Sequence, residues 1–243
     1  MSSSKSPAAD AAVAELVVAN HILYDRGVVD AFGHVTARHP DDPTKFLLTW
    51  AVAPALATVA DVLTFDLAGN ALDNAAGREL YSERFIHAAI FAARPDVMGI
   101  VHSHSPALIP FTITDVPLRP VWHMSSFLGT GTGLYDSQRL SGDTDLLVKT
   151  IELGGALAES LGDKPVVLMR GHGSVTVGRT VREAVYRAIY TETNARLQAD
   201  ALRMSDRVTY LTPGESSLMD ARTKPDYRRA WELWQRAVAP PTV

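Results

Sequence analysis

Apolar residues recur along this chain with two different periods. Ala12, Leu16, Val17, Ala19, Ile22 and Leu23 fall three or four positions apart, the spacing of one buried helix face, and Gly27 stands where such a helix stops. Residues 46–49 and 62–66 are short apolar runs that predict strands, and Ala68-Gly69-Asn70 reads as a turn. After Ser82-Glu83 the helical spacing returns with Phe85, Ile86, Ala89, Ile90 and Ala93, and Arg94-Pro95-Asp96 ends it. Residues 98–101 then form a compact run suited to a buried strand.

The second half repeats the alternation. Residues 116–123 are extended and interrupted by prolines, which predicts a sheet edge or a loop. Residues 145–161 predict a helix starting after Ser141-Gly142-Asp143-Thr144. Two strands, 166–169 and 174–178, flank Gly171-His172-Gly173. The longest helix covers 181–204 and buries Ala184, Val185, Ala188, Ile189, Ala195, Ala199 and Leu202. No internal repeat is visible. The expected organisation is a flexible segment over 1–10, one α/β domain over 11–210 and an extension over 211–243.

Composition narrows the function. The chain has 243 residues, 47% of them hydrophobic and 21% charged. That is ordinary globular composition, and a chain of this length folds without a structural metal or disulfide. Any metal must therefore be argued as chemistry. A net charge of -4 with no Lys/Arg cluster argues against a nucleic-acid binder. With no cysteine, a metal would be held by His and carboxylate. The opening MSSSKSPAAD lacks the apolar core of a signal peptide, and no run reaches the ~20 apolar residues of a membrane span. A cytoplasmic location, without membrane or nucleic-acid partners, is expected.

Three places carry candidate chemistry. In His102-Ser103-His104 the two imidazoles fall on one strand face, so both can reach one cation. In Gly171-His172-Gly173 a histidine occupies a turn where Asn or Asp would be the ordinary choice, which leaves its ring free to project. Glu83, at a helix start, reads either as a carboxylate answering the helix dipole or as a metal ligand or proton carrier. Its own context leaves both open.

Glu83, His102-Ser103-His104 and His172 between glycines, in this order, resemble the class II aldolase/adducin family over residues 12–204. The resemblance implies a three-layer α/β/α domain with a mostly antiparallel central sheet. It also implies one divalent cation per chain (Zn, Mn, Fe or Co) on His102, His104 and His172, with Glu83 as fourth ligand or acid/base. Homotetramers with active sites at subunit boundaries are the implied assembly.

Sugar-phosphate members of that family carry Gly-Asn-x-Ser and Thr-Pro-x-Gly segments. Here Gly33-His34-Val35-Thr36 and Thr49-Trp50-Ala51-Val52 replace them, and an indole stands where a phosphate loop needs small residues and exposed amides. A nonphosphorylated, flat substrate fits better, with Trp50, Trp122 and Phe127 as candidate pocket walls. The stretches 30–34, 52–56, 117–124 and 169–173 resemble a branch containing decarboxylases of hydroxylated aromatic or pyridine dicarboxylates. His34 and His123 are candidates for contacting a substrate carboxylate or delivering a proton. Arg84, Arg119 and Arg170 are candidates for a second carboxylate, and Tyr190 for a neighbouring site. His21, His39 and His87 read as structural or exposed. The resulting expectation is a metal-dependent carbon–carbon lyase acting on a small carboxylated molecule. A decarboxylase comes first; an aldolase for a nonphosphorylated substrate, an iron-dependent oxidative enzyme and a noncatalytic adducin-like domain are the alternatives. Glu83 and His123 are its candidate proton carriers.

Overall fold

The computed structural model describes residues 6–75, 77–222 and 227–239. Seven strands form one sheet: β1 (His34–Arg38), β2 (Lys45–Thr49), β3 (Val62–Asp66), β4 (Gly99–Ser103), β5 (Gly133–Tyr135), β6 (Val166–Met169) and β7 (Gly173–Gly178). Their order is β3-β2-β1-β4-β7-β6-β5. Every neighbouring pair is antiparallel except β5 with β6.

Strands β2, β4 and β6 read as near-continuous apolar runs because both sheet faces are covered, and the period of two divides each run between two cores. Leu47, Val101, Val166 and Leu168 enter one core with the helices α1 (Pro7–Asp25) and α6 (Val181–Met204). Phe46, Leu48, Ile100, Val167 and Met169 enter the other, with α2 (Arg84–Ala93) and α5 (Ile151–Leu161). Two short helices, α3 (Ile109–Ile113) and α4 (Ser137–Ser141), lie in the connections. The arrangement is a three-layer α/β/α domain with a mostly antiparallel sheet, as the resemblance implied.

Some expected boundaries move. Residues 7–10, assigned above to a flexible segment, are the first turn of α1, because Ser6 caps it by accepting the Ala9 N–H at 3.0 Å and Pro7 supplies a preset first position. Residues 1–5 lie outside the described residues. The helix expected from 145 starts at Ile151, where Thr150 is the cap, and Leu146 takes a left-handed φ of 65° that no helix admits. Residues 116–123 contain no strand. The stretch after 211 holds α7 (Pro213–Asp220) and α8 (Arg228–Val238), and α8 seats Trp231 and Trp234 in the same core as α1 and α6. It is packed into the domain rather than appended to it. No helix among the described residues is long and apolar enough to cross a membrane.

Candidate metal centre

The site forms on the sheet face that α2 covers. His102 is the fourth residue of β4, and His104 follows directly after the strand ends. Their Nε2 atoms stand 3.1 Å apart. The turn between β6 and β7 brings in His172, whose Nε2 is 3.0 Å from that of His104. Both glycines of that turn are needed. Gly171 has a φ of +63°, and a Cβ on Gly173 would overlap the Ser103 carbonyl of the neighbouring strand.

Glu83 completes the group. It occupies the N-cap of α2, yet its side chain makes no capping bond. It turns into the sheet, where one carboxylate oxygen, Oε2, lies 3.4 Å from the Nε2 of both His102 and His172. Oε1 accepts the main-chain N–H of Val148 at 3.0 Å. One donor atom from each of Glu83, His102, His104 and His172 falls within 4.8 Å of all the others.

Whether these residues suit a cation depends on where the ring protons sit. The Nδ1 of His102 donates to the Ser174 carbonyl at 3.1 Å, and that of His172 to the Leu146 carbonyl at 3.0 Å. Each ring therefore carries its hydrogen on Nδ1 and presents a lone pair at Nε2. Lone pairs converging on one point beside a carboxylate repel one another until a positive charge lies among them. A donor set of three imidazoles and one carboxylate suits Zn, Mn, Fe or Co. The residues fit the group.

In the metal-free protein a proton on these imidazoles takes the place of the cation beside the carboxylate. Burial would raise the Glu83 carboxyl, but hydrogen bonding and charge from His102 and His172 override it and hold it far below the usual carboxylate range. Burial, then the neighbouring His102 and His172, lower His104 to about 4, so it is neutral at ordinary pH. His172 runs the other way: burial lowers it, and the Glu83 carboxylate outweighs burial and raises it.

The remaining candidates divide. His34 is buried, pairs in register with His102 across β1 and β4, and its ring lies 5.0 Å from that of His102. The other substrate candidates are engaged elsewhere. Arg84 donates to the carbonyls of Gly69 and Tyr81 at 2.7 and 3.0 Å and lies over Phe85. Its donors secure the turn after β3. Arg119 is exposed and stacks on Tyr210. Arg170 donates to Asp136 at 2.5 Å. Trp50 donates its indole N–H to Asp61 at 2.6 Å. Tyr190 lies among Trp122, Tyr186 and Trp234. His123 is exposed on this chain and meets Trp122 edge-on.

Two sets of atoms beside the site were not singled out by the reading of side chains. Val148 N–H and the Leu146 and Ser174 carbonyls belong to the main chain. His87, taken above as structural or exposed, is fully buried beside the site with Thr36. Its place four residues after Glu83, hence on the same helix face, was the available clue.

The sequence profile described as "Class II Aldolase and Adducin N-terminal domain" matches residues 14–199. A decarboxylase designated tropJ, from Talaromyces stipitatus, is 35% identical over 240 residues, covering 90% of each chain. A 3,4-dihydroxyphthalate decarboxylase from Arthrobacter keyseri is 29% identical over 202 residues, covering 79% of each. An L-fuculose 1-phosphate aldolase from Glaciozyma antarctica superposes with a TM-score of 0.79 at 24% identity, covering 95% of this chain and 89% of its own. That last likeness is one of fold.

Proposed function

The chain belongs to the class II aldolase and adducin family, and from that footing we propose that it is a metal-dependent carbon–carbon lyase, a decarboxylase of a hydroxylated aromatic acid of the phthalate or pyridine-dicarboxylate kind. The observation that carries the proposal is the convergence of three imidazole nitrogens and one carboxylate oxygen within 4.8 Å. The likeness to two decarboxylases over most of their length supports carbon dioxide, rather than an aldehyde, as the leaving fragment.

His102, His104 and His172 would hold the cation, with Glu83 as an anionic fourth donor. When bound, the cation supplies Lewis-acid stabilisation of the negative charge that gathers on a substrate oxygen as the carbon–carbon bond weakens. The chain supplies the rest. Glu83, held ionised, offsets positive charge at the centre; it carries no proton to give in that state. Main-chain carbonyls keep the two rings in the ligating tautomer. Breaking the bond leaves an electron pair on a ring carbon, which a proton must quench. We assign that proton to His123, which is exposed on its own chain and in a homotetramer would serve a neighbouring subunit's site.

Incubating the metal-loaded protein with hydroxylated phthalates and pyridine dicarboxylates, beginning with 3,4-dihydroxyphthalate, tests this directly. Carbon dioxide release that stops on chelation and returns with one added cation is the expected result. Aldehyde release from hydroxy-carbonyl compounds in its place would make the protein an aldolase. Neither product from a protein with bound metal would remove the lyase reading.

A further inference from the structure

His34, His87 and Thr36 form a closed polar chain beside the metal centre. His34 and Thr36 point to the same face of β1, and α2 places His87 over them. His87 Nε2 lies 2.6 Å from His34 Nδ1, and His87 Nδ1 lies 2.8 Å from Thr36 Oγ1. Thr36 and His87 are fully buried and His34 nearly so.

The direction of these bonds follows from the last member. The Thr36 hydroxyl has one hydrogen to donate, and among the described residues its side chain bonds only His87 Nδ1. If His87 carried its hydrogen on Nδ1, the Thr36 O–H would be buried with no acceptor, whereas an oxygen lone pair is left over far more cheaply. Thr36 therefore donates to His87 Nδ1. His87 in turn donates from Nε2 to His34 Nδ1. That leaves the hydrogen of His34 on Nε2, on a ring 5.0 Å from that of His102. A protonated Nε2 cannot ligate a cation, which accounts for a fourth histidine beside the cluster standing outside its donor set.

We propose that Thr36 and His87 are positioning residues that hold His34 as a neutral Nε2–H donor for a carboxylate oxygen of the substrate. This rests on the decarboxylase reading and adds to it: the substrate presents an anionic oxygen to the β1 side of the centre while its hydroxyl side meets the cation. A charge-assisted bond is the strongest use of a fixed neutral donor, and a lone pair at the same place would repel that oxygen.

The test uses nitrogen NMR of the ring tautomers, in metal-free protein and in protein loaded with zinc (which is diamagnetic), together with binding of phthalate as a nonreacting dicarboxylate. Wild-type His34 is expected as the Nε2–H tautomer in both forms. Thr36→Val, nearly isosteric, removes the donor that sets the direction and narrows the gap between the two tautomers without reversing it; part of the His34 population moves to Nδ1–H and phthalate binds about twofold more weakly. His87→Leu takes away the donor to His34 Nδ1 itself, so His34 is no longer held as Nε2–H and phthalate binds about tenfold more weakly. His87→Gln, whose amide can still donate to His34, keeps most of the affinity. An Nδ1–H tautomer in wild type overturns the proposal. So does a Thr36→Val shift with unchanged phthalate affinity, or equal losses in His87→Leu and His87→Gln, which would make His87 merely a packing residue. Failure of the decarboxylase reading shows separately, as zinc-loaded protein that binds phthalate in this Thr36-dependent way yet releases no carbon dioxide from hydroxylated phthalates.

Discussion

Glu83 Oε1 accepts the main-chain N–H of Val148 at 3.0 Å, across 65 positions of sequence. This bond holds the carboxylate plane so that its second oxygen reaches both His102 and His172. It ties the start of α2 to the segment before α5, two helices that pack on each other over the same face of the sheet.

Because His104 approaches the Nε2 atoms of both other histidines, its loss opens the centre of the donor set. His104→Ala is expected to reduce bound metal from about one ion per chain to under a tenth of that, with far-ultraviolet circular dichroism unchanged. Elemental analysis of both proteins checks it. Equal metal content would sink the proposed centre.

Glu83→Gln keeps an oxygen able to accept from Val148 and removes the charge. Turnover is therefore expected to fall roughly 100-fold or more, while the melting temperature moves little. Steady-state kinetics beside calorimetry separates the two effects. Unchanged turnover would show that the charge of Glu83 plays no part in the reaction.

Burial, with help from nearby imidazoles, holds His34 well below its usual value and His87 at about 3, so both are neutral in the fold. In the unfolded chain they titrate near pH ~6.5. Below that pH the unfolded state binds more protons, so stability is full above it and drains as the pH falls toward the folded values. His172 opposes this, since Glu83 raises its pKa over the contrary pull of burial. His104, lowered to about 4, acts with His34 and His87, so three groups outweigh one. The urea midpoint of metal-free protein should fall between pH 7 and pH 5, and fall less in His87→Gln; a flat or rising wild-type midpoint would contradict the assignment.

Trp231 is buried against the α1–α6 core, with the Arg182 guanidinium 5.1 Å above its ring. Trp231→Ala should cost about 3–5 kcal/mol, or roughly 10 °C in melting temperature for a chain of this size. A loss under about 2 °C in a thermal scan would return α8 to the status of an appendage.

Much of this was legible from residue spacing. The period of two in 102–104 and the glycines around His172 announced side chains that project, and the structure brings them together. Residues 145–149 misled because Leu146, Leu147 and Val148 extend the apolar pattern of α5, while the left-handed φ of Leu146 leaves no mark in composition. Strand β1 escaped for a related reason. Its His34, Thr36 and Arg38 are polar although buried, because each finds partners that only the folded chain supplies. Arg38 alone donates to the carbonyls of Pro43, Phe91, Arg94 and Val97.

The atoms that orient Glu83 and His172 come from the peptide groups of Val148 and Leu146. A peptide group is the same whatever side chain it bears. Residues 145–147 and 149 can therefore drift widely in identity among descendants of this chain without disturbing the ligands, provided their number and path are kept, whereas Val148 is fixed by its buried side chain. Here the inherited quantity is loop length. Inserting or deleting one residue between Thr144 and Thr150 would misalign both bonds at once, while many point changes there would pass unnoticed.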